Sequence, residues 1–377
     1  MAPITIPTDI TDPVNARILS VSEDRIAGFL DDPLAEIARI TELPLETVIE
    51  RLRGMLDAGV IRRIRQTLMA TNLAPGALVA WRVPTERLDE AFDHLVKNDP
   101  FSGHVVIRST DAETPGSVYR LWTTLKVPQG FSMQSHCELL ASRIGATAFR
   151  IMPAKRLFAL GVGHVRRKGM EPGARSDVRG VVLDTNVVAL SPLEWQVLGT
   201  LKREFAPEEL GPELWRARAD EARIAYEQFL DVARGLAAKK VIGRFSTFLE
   251  HVKPSVTGER VTRYNALFHW RVPAGREIEA GREVGRHHIL THAYWREGGA
   301  EFANVNIMAV AHGTEKANVL AHKAAIDTHL EAVGIPVSYT NVFWGGRSEI
   351  KPSEIVPEAY EAWLRDQEIE PSTMRAR

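Results

Sequence analysis

Cysteine is nearly missing from this chain: Cys137 is the single one among 377 residues. An intrachain disulfide, a cysteine-rich zinc site and a cysteine-ligated iron–sulfur cluster are thereby excluded. The flanks of Cys137, from Gln134 to Leu140, read as helix, where sequence neighbours diverge by about 100°. His136 therefore does not face it as a base, and a buried, inert thiol is expected. An excess of one charge is also lacking. Forty-seven basic against 48 acidic residues give a net charge of −1, which leaves no global field to draw the protein onto nucleic acid or anionic lipid. No apolar run approaches the roughly 18 residues of a membrane span, and the opening MAPITIPTDITDPVN lacks a charged stretch followed by an apolar one. A cytoplasmic protein without membrane attachment is expected. No P-loop, dinucleotide glycine fingerprint, serine nucleophile elbow or His-Glu-x-x-His stretch occurs.

What is present is an ordinary globular composition, 45% hydrophobic and 25% charged, at a length that favours about two to four domains. It is also a repeat. Trp81-Arg82-Val83-Pro84 recurs 189 residues later as Trp270-Arg271-Val272-Pro273. His104 and Arg108 answer to His292 and Arg296 at an offset of 188, Gly145 to Gly334 at 189, and Val60-Ile61-Arg62-Arg63 to Val241-Ile242-Gly243-Arg244 at 181. One tetrapeptide is compatible with chance, but several anchors in one order are not. The second copy carries about eight extra residues, placed by this reading within 252–262.

Each copy begins with helix-turn-helix grammar. Residues 33–61 hold two short amphipathic helices, the second entered through Pro44 and closed by Gly59. Residues 77–83, 104–108, 118–126 and 148–152 read as strands and 87–97 and 133–144 as helices, which is βαββαβ. The second copy repeats the order over 263–272, 278–286, 289–296, 303–310, 315–333 and 337–343. The expected organisation is helix-turn-helix at 15–66, a ferredoxin-like module at 67–165 and a Gly- and Arg-rich, mobile linker at 166–184. A second helix-turn-helix at 185–246, a second ferredoxin-like module at 247–352 and a tail at 353–377, a short helix followed by disorder, complete it. The fold class is α+β: a tandem duplication of a winged helix-turn-helix plus ferredoxin-like unit, folded as a pseudo-dimer.

This order of modules, with Gly59-Val60-Ile61-Arg62-Arg63 leaving the last helix, resembles the Lrp/AsnC regulator family, which implies DNA binding and an effector site. A recognition helix needs Arg, Lys, Asn or Gln in its first turn to reach bases and phosphates. Here that turn holds Pro44, Leu45, Glu46 and Thr47, with Glu50 following, and the second copy offers Asp220, Glu221, Glu227 and Asp231. Such carboxylates repel phosphate, so DNA is disfavoured as a partner.

The chain also resembles the siroheme decarboxylases, a branch of the same architecture. Gly59 to Arg63 is similar to the stretch after its helix-turn-helix. His104-x-x-x-Arg108 and His292-Ala293-Tyr294-Trp295-Arg296 resemble its His-x-Tyr-x-Arg strand, Tyr119-Arg120-Leu121-Trp122 its Tyr-Asn-Leu-Trp strand, and Ala309 to Gly313 its strand ending in His-Gly. The chain departs from the family at Ile64 and Arg65, where an aromatic and Gly are usual. It departs again at Gly243, which replaces Arg62, and at Asn304-Val305-Asn306-Ile307, taken as the counterpart of Tyr119 to Trp122. The resemblance implies non-oxidative removal of acetate carboxyls from siroheme, giving didecarboxysiroheme in haem or haem d1 biosynthesis. It implies no cofactor or bound metal beyond the iron tetrapyrrole itself, siroheme or a haem-type ligand. A ligand-responsive regulator and a non-catalytic haem-binding protein are the alternatives.

Such a reaction requires cations for carboxylates, a flat apolar slot and a proton donor. Residues four apart on a strand share a face, so His104 projects with Arg108 and His292 with Arg296. Histidine titrates near neutrality and suits proton delivery; a clamp or iron ligation is the other role open to the pair. Arg63 and Arg244 either hold propionates or lie along the junction between modules. Tyr119 is a stacking or core residue facing away from Arg120. Lys155, with Arg156, is a substrate contact or an edge charge that blocks aggregation. His287-His288 reads as a solvated loop, and Trp270, Trp295 and Trp344 as either pocket lining or core. Partners are thus a tetrapyrrole and the other half of the same chain, with room for a further homodimer.

Overall fold

The computed structural model describes residues 6–160, 170–184, 187–250 and 263–376. They fall in two compact units, one chiefly of residues 6–69 and 188–250, the other of 70–160, 171–184 and 264–376. The insertion expected within 252–262 and the start of the linker at 166–169 lie outside the described residues.

The first unit holds both helical modules. Helices α1 (Pro13–Ser22), α2 (Pro33–Thr41) and α3 (Leu45–Asp57) come from the first copy. Asp12 and Asp32 cap α1 and α2 by accepting backbone N–H groups of their first turns, with Pro in the tolerated early positions. The second copy supplies α6 (Pro192–Leu201), opened by the Ser191–Glu194 capping box, α7 (Arg216–Glu221) and α8 (Tyr226–Ala238). A three-stranded antiparallel sheet joins the copies: β8 (Ile242–Leu249) lies between β1 (Ile26–Ala27) and β2 (Ile61–Leu68). Each strand leaving a helical module thus pairs with its counterpart from the other copy.

The second unit is built on one nine-stranded sheet. The first copy gives β3 (Gly76–Arg82), α4 (Leu88–Asn98), β4 (Ser102–Ser109), β5 (Leu121–Lys126), α5 (Met133–Ile144), β6 (Ala148–Pro153) and β7 (Arg156–Leu160). The second gives β9 (Tyr264–Arg271), α9 (Glu277–Val284), β10 (Leu290–Trp295), β11 (Ile307–Gly313), α10 (Lys316–Ala332) and β12 (Tyr339–Ile350). The order β6-β3-β5-β4-β12-β9-β11-β10-β7 contains the ferredoxin-like order twice. The halves are stitched reciprocally: the long β12 continues onto β4, and β7 adds to β10.

Alternation along the strands sorts side chains to two faces. On one, Val79, Trp81 and Val105 pack under α4 and α5, and Phe268, Trp270 and Ala309 under α9 and α10. Trp81 and Trp270, the repeat anchors, are fully buried there, each donating its indole N–H, to Thr123 Oγ1 at 3.0 Å and to Asp327 Oδ1 at 2.6 Å. The motif that reveals the duplication therefore records core packing. Trp344 joins the same core, and Trp295 packs against it while donating to Glu297 Oε1. The opposite face carries one cluster drawn from both halves, including Trp122, Met152, Leu267, Phe302, Met308 and Phe343.

Three expectations are corrected. Helix α11 (Pro357–Asp366), in the tail expected to end in disorder, buries Tyr360 and Leu364 in the core of the first copy, and Met374 follows them. Residues 171–184, assigned to a mobile linker, lie against β7 and the second copy: Leu183 bridges to Leu157, Ser176 N donates to the Arg286 carbonyl while Arg286 Nε donates to the Ser176 carbonyl, and Arg179 pairs with Glu283 at 2.7 Å. His287 is 2% exposed rather than solvated, with its ring 5.2 Å from that of His329. A two-histidine sequence looks polar, yet alternate residues of a turn can point opposite ways.

Candidate active site

The residues singled out by sequence divide between the units. Arg63 and Arg244 belong to the first. Arg63 is buried on β2, its Nη1 2.9 Å from Glu204 Oε1, so a carboxylate of the protein already neutralises part of its charge. Arg244 is half-buried on β8, where its main chain exchanges bonds with the Thr67 hydroxyl. The other six lie in the second unit.

Histidine and arginine share a face in each copy, as the spacing requires. On β4, His104, Val106 and Arg108 alternate onto the face common to both halves. His104 is half-buried, with Nε2 2.8 Å from Ser348 Oγ on β12. Along β10 and one residue past its end the same positions hold His292, Tyr294 and Arg296, which form a column. The rings of His292 and Tyr294 are parallel within 4° at 6.0 Å, and the Arg296 guanidinium lies 4.4 Å over the Tyr294 ring. At about 3.3 Å per residue, the histidine and arginine of each strand stand roughly 13 Å apart along it.

Both arginines are deeply buried, Arg108 at 4% and Arg296 at 7% exposure, and neither meets a carboxylate among the described residues. Arg108 donates from Nη1 to the Phe343 carbonyl and from Nη2 to Asn265 Oδ1, each at 3.2 Å. Arg296 donates from Nη1 to the Met152 carbonyl. Burial pulls the Arg108 guanidinium down to about 9 and lowers that of Arg296 as well. Desolvating a cation without a counter-charge is costly. Two such cations on one face are chemically suited to acidic groups.

Tyr119 does not lie on a strand. It follows the turn Pro115–Val118, and β5 starts only at Leu121, but the ring is buried and packs on Phe302 at 5.3 Å. Burial, then Glu301, raises its hydroxyl above the ordinary range. The register also corrects its counterpart: Tyr119 N bonds Gly116 O as Val305 N bonds Phe302 O, and Ala80 faces Trp122 as His269 faces Met308. Tyr119 therefore answers to Val305 and Trp122 to Met308, one residue beyond the alignment drawn from sequence. Lys155 is exposed, 2.9 Å from Glu297 Oε1 and 4.8 Å over the Trp295 ring, which places it on the sheet edge away from the buried arginines.

Sequence reasoning missed His269 and Asn341. They face one another on β9 and β12, with His269 1% exposed and its Nε2 without a hydrogen-bond partner among the described residues. Burial, and secondarily Arg108, push its ring down to about 3, so it is uncharged. The signal lay inside the repeat anchor, where His269 precedes Trp270 as Ala80 precedes Trp81. Among the described residues no cluster of three or more His, Cys, Asp or Glu side chains fits a metal ion, and no helix is long and apolar enough to cross a membrane. Cys137 is buried, its thiol pushed up by burial.

Known proteins resemble this chain in sequence and in fold. Residues 74–159 match the model of the AsnC-like ligand binding domain. The siroheme decarboxylase NirDL subunit of Paracoccus pantotrophus is 24% identical over 309 residues, 81% of this chain and 86% of that one. The siroheme decarboxylase beta subunit of Desulfovibrio desulfuricans is 27% identical over 130 residues, 34% of this chain and 76% of that subunit. A crystal structure of the siroheme decarboxylase NirDL in co-complex with an iron-uroporphyrin III analogue superposes with a TM-score of 0.64 at 18% identity, covering 94% of this chain and 98% of that one. The chain is thus similar, over most of its length, to proteins of the siroheme decarboxylase family.

Proposed function

We propose that this protein decarboxylates siroheme, removing acetate carboxyls without an oxidant to give the didecarboxylated product used toward haem or haem d1. The observation that carries the reading is the duplicated sheet face on which a histidine is aligned with a buried arginine that has no acidic partner among the described residues. In the reaction the bond between methylene carbon and carboxylate breaks, carbon dioxide leaves, and the electron pair left on the methylene carbon takes up one proton, giving a methyl group. Nothing is oxidised or reduced. Arg108 and Arg296 hold carboxylates of the substrate, and His104 and His292 deliver the proton. Tyr119 supports the apolar wall through Phe302. Lys155 is a peripheral contact for a propionate arm, and the iron enters as part of the substrate rather than as a resident cofactor. The two helix-turn-helix plus ferredoxin-like pairs, 15–165 and 185–352, act as an intramolecular pseudo-dimer in place of separate subunits. The acidic first turn of α3, with Glu46, speaks against a regulator on DNA.

The test is anaerobic incubation with siroheme followed by mass analysis of the extracted pigment. Loss of two CO₂ masses is expected. The pair His104→Ala and His292→Ala should abolish CO₂ release while the visible spectrum still reports pigment binding. Normal turnover by the doubly substituted protein overturns the proton-donor assignment, and an unchanged pigment mass with the native chain overturns the activity.

A further inference from the structure

The two ends of the shared face carry different polar groups. Around Arg108 stand Asn265, His269 and Asn341, from β9 and β12. The strand register puts Gly76, Ala80 and Arg150 at the matching places in the first copy: Gly76 pairs Lys126 as Asn265 pairs His312, and Ala80 faces Arg150 as His269 faces Asn341. Arg296, the counterpart of Arg108, is instead covered by the Tyr294 ring, where the first copy has Val106.

Arg108 Nε, His269 Nε2 and Asn341 Nδ2 are all buried without a hydrogen-bond partner among the described residues. They are neighbours. Asn341 is the direct cross-strand partner of His269, its Oδ1 accepts the Thr110 hydroxyl at 2.9 Å two residues beyond Arg108, and Arg108 reaches Phe343 two residues beyond Asn341. Asn341 Oδ1 also accepts from Val342 N, so its unused capacity is donor only. Guanidinium Nε and amide Nδ2 can only donate, and the imidazole can present N–H at Nε2. Buried donors without an acceptor are rare because they are costly, and the group that completes such a set is acceptor-only and negatively charged.

We propose that Arg108, His269 and Asn341 form a carboxylate-binding subsite that occurs once per chain and fixes a polycarboxylate substrate in one of the two orientations that a pseudo-symmetric face would otherwise allow. The identity of that substrate as a tetrapyrrole rests on the decarboxylase reading; the subsite itself does not. Because the His269 ring is uncharged, Arg108 alone supplies the positive charge, which matches a single carboxylate. Phe302 packs against His269 and Trp122 from a turn whose next residues, Ala303 and Asn304, hold left-handed φ of 52° and 54°. That conformation is uncommon for residues with a side chain, and it sets the Phe302 ring against the subsite.

The experiment uses the full chain labelled with ¹⁵N-histidine, titrated first with sodium acetate and then with iron uroporphyrin III. Acetate should move the Nε2 resonance of His269, and Arg108→Met should remove that response. His269→Ala, which copies Ala80, should weaken iron uroporphyrin III at least tenfold, His269→Gln should restore most of it, and a water-soluble iron porphyrin without carboxylates should bind all three alike. Should His269→Ala fail to fold, Asn341→Leu takes its place with the same expectation. A His269 resonance indifferent to acetate overturns the proposal, as does equal weakening of both porphyrins. If acetate moves His269 but siroheme is not decarboxylated, the subsite stands and the reading of the activity falls.

Discussion

Arg108 and Arg296 are structural counterparts that cross in opposite directions: Arg108 donates to the Phe343 carbonyl on β12 and Arg296 to the Met152 carbonyl on β6. Each buried cation is thus held by the main chain of the other half, with no acid beside it among the described residues. Main-chain carbonyls orient a guanidinium without neutralising it, so its charge is conserved for a ligand.

This balance makes the effect of Arg108→Met asymmetric. The substitution sacrifices the bonds to Phe343 and Asn265 but also removes a buried, unneutralised charge, and replacement of such charges by apolar groups is often neutral. Unfolding stability should change by no more than about 1 kcal/mol. Affinity for a carboxylate-bearing tetrapyrrole should drop at least about tenfold, the equivalent of one charge-assisted bond. Urea titration beside an absorbance titration tests both, and a large stability loss with unchanged affinity would make Arg108 a structural residue.

Gly345 permits the arrangement. It sits between Arg108 and Asn265 in the ladder, paired with both, and a Cβ there would come within 3.2 Å of Asn265 Cβ and 3.3 Å of its Cγ. Gly345→Ala should therefore tilt the Asn265 amide and cost Arg108 its Nη2 acceptor. We expect several-fold weaker tetrapyrrole binding with a small change in melting temperature, and Asn265→Ala should show the same phenotype. Additive losses in the double variant would mean that the two act independently.

How much of this could be read from the sequence follows from what each signal measures. Offsets of 188 and 189 place His104, Arg108, His292 and Arg296 because strands have a strict period of two and these residues repeat in register. Tyr119 was displaced because one turn residue shifts an alignment without altering composition. His269 and Asn341 escaped notice since each follows an ordinary strand pattern; only the cross-strand register shows that they face one another and lack partners. The burial of Tyr360 likewise depends on contacts with residues more than 200 positions away, such as His136, which no local periodicity encodes.

Stability should depend on pH through His269 and His287. Burial holds both near 3, helped at His269 by Arg108 and at His287 by His329, Arg175, Arg286 and His322. Between their ordinary value of 6.5 and about 3 the unfolded chain binds protons that the folded chain refuses, so stability is full above pH 6.5 and falls as the pH drops below it. Each contributes a slope of up to about 1.4 kcal/mol per pH unit. Asp99 and Glu283, held below their ordinary values, act only at lower pH, where carboxylates begin to protonate. Urea midpoints between about pH 6.5 and 5.5 therefore report chiefly on histidines, among them His94, which burial also lowers. His269→Gln with His287→Gln should reduce the slope in that window, and an unchanged slope would refute the assignment.

The tail provides the last test, because its helix carries a polar contact into the core of the first copy. Tyr360 is fully buried, its hydroxyl 2.8 Å from His136 Nδ1, and His136 Nε2 lies 3.5 Å from the buried Asp99 Oδ1. The Tyr360 ring also packs on Phe101 at 4.7 Å and Phe131 at 4.4 Å. Tyr360→Phe keeps the packing and leaves one buried ring nitrogen unsatisfied, a loss of about 1–3 kcal/mol. Tyr360→Ala adds the cavity and should cost about 3–5 kcal/mol. Because Tyr360 lies on the helix face of the sheet, away from Arg108 and Arg296, any variant that remains folded should bind the tetrapyrrole with unchanged affinity. Denaturant unfolding of the two variants, read beside that affinity, separates the roles: an unchanged stability in Tyr360→Phe would show that the hydroxyl contributes nothing, equal losses in the two would show that the ring packing contributes nothing, and weakened binding by folded Tyr360→Phe would couple the tail to the site.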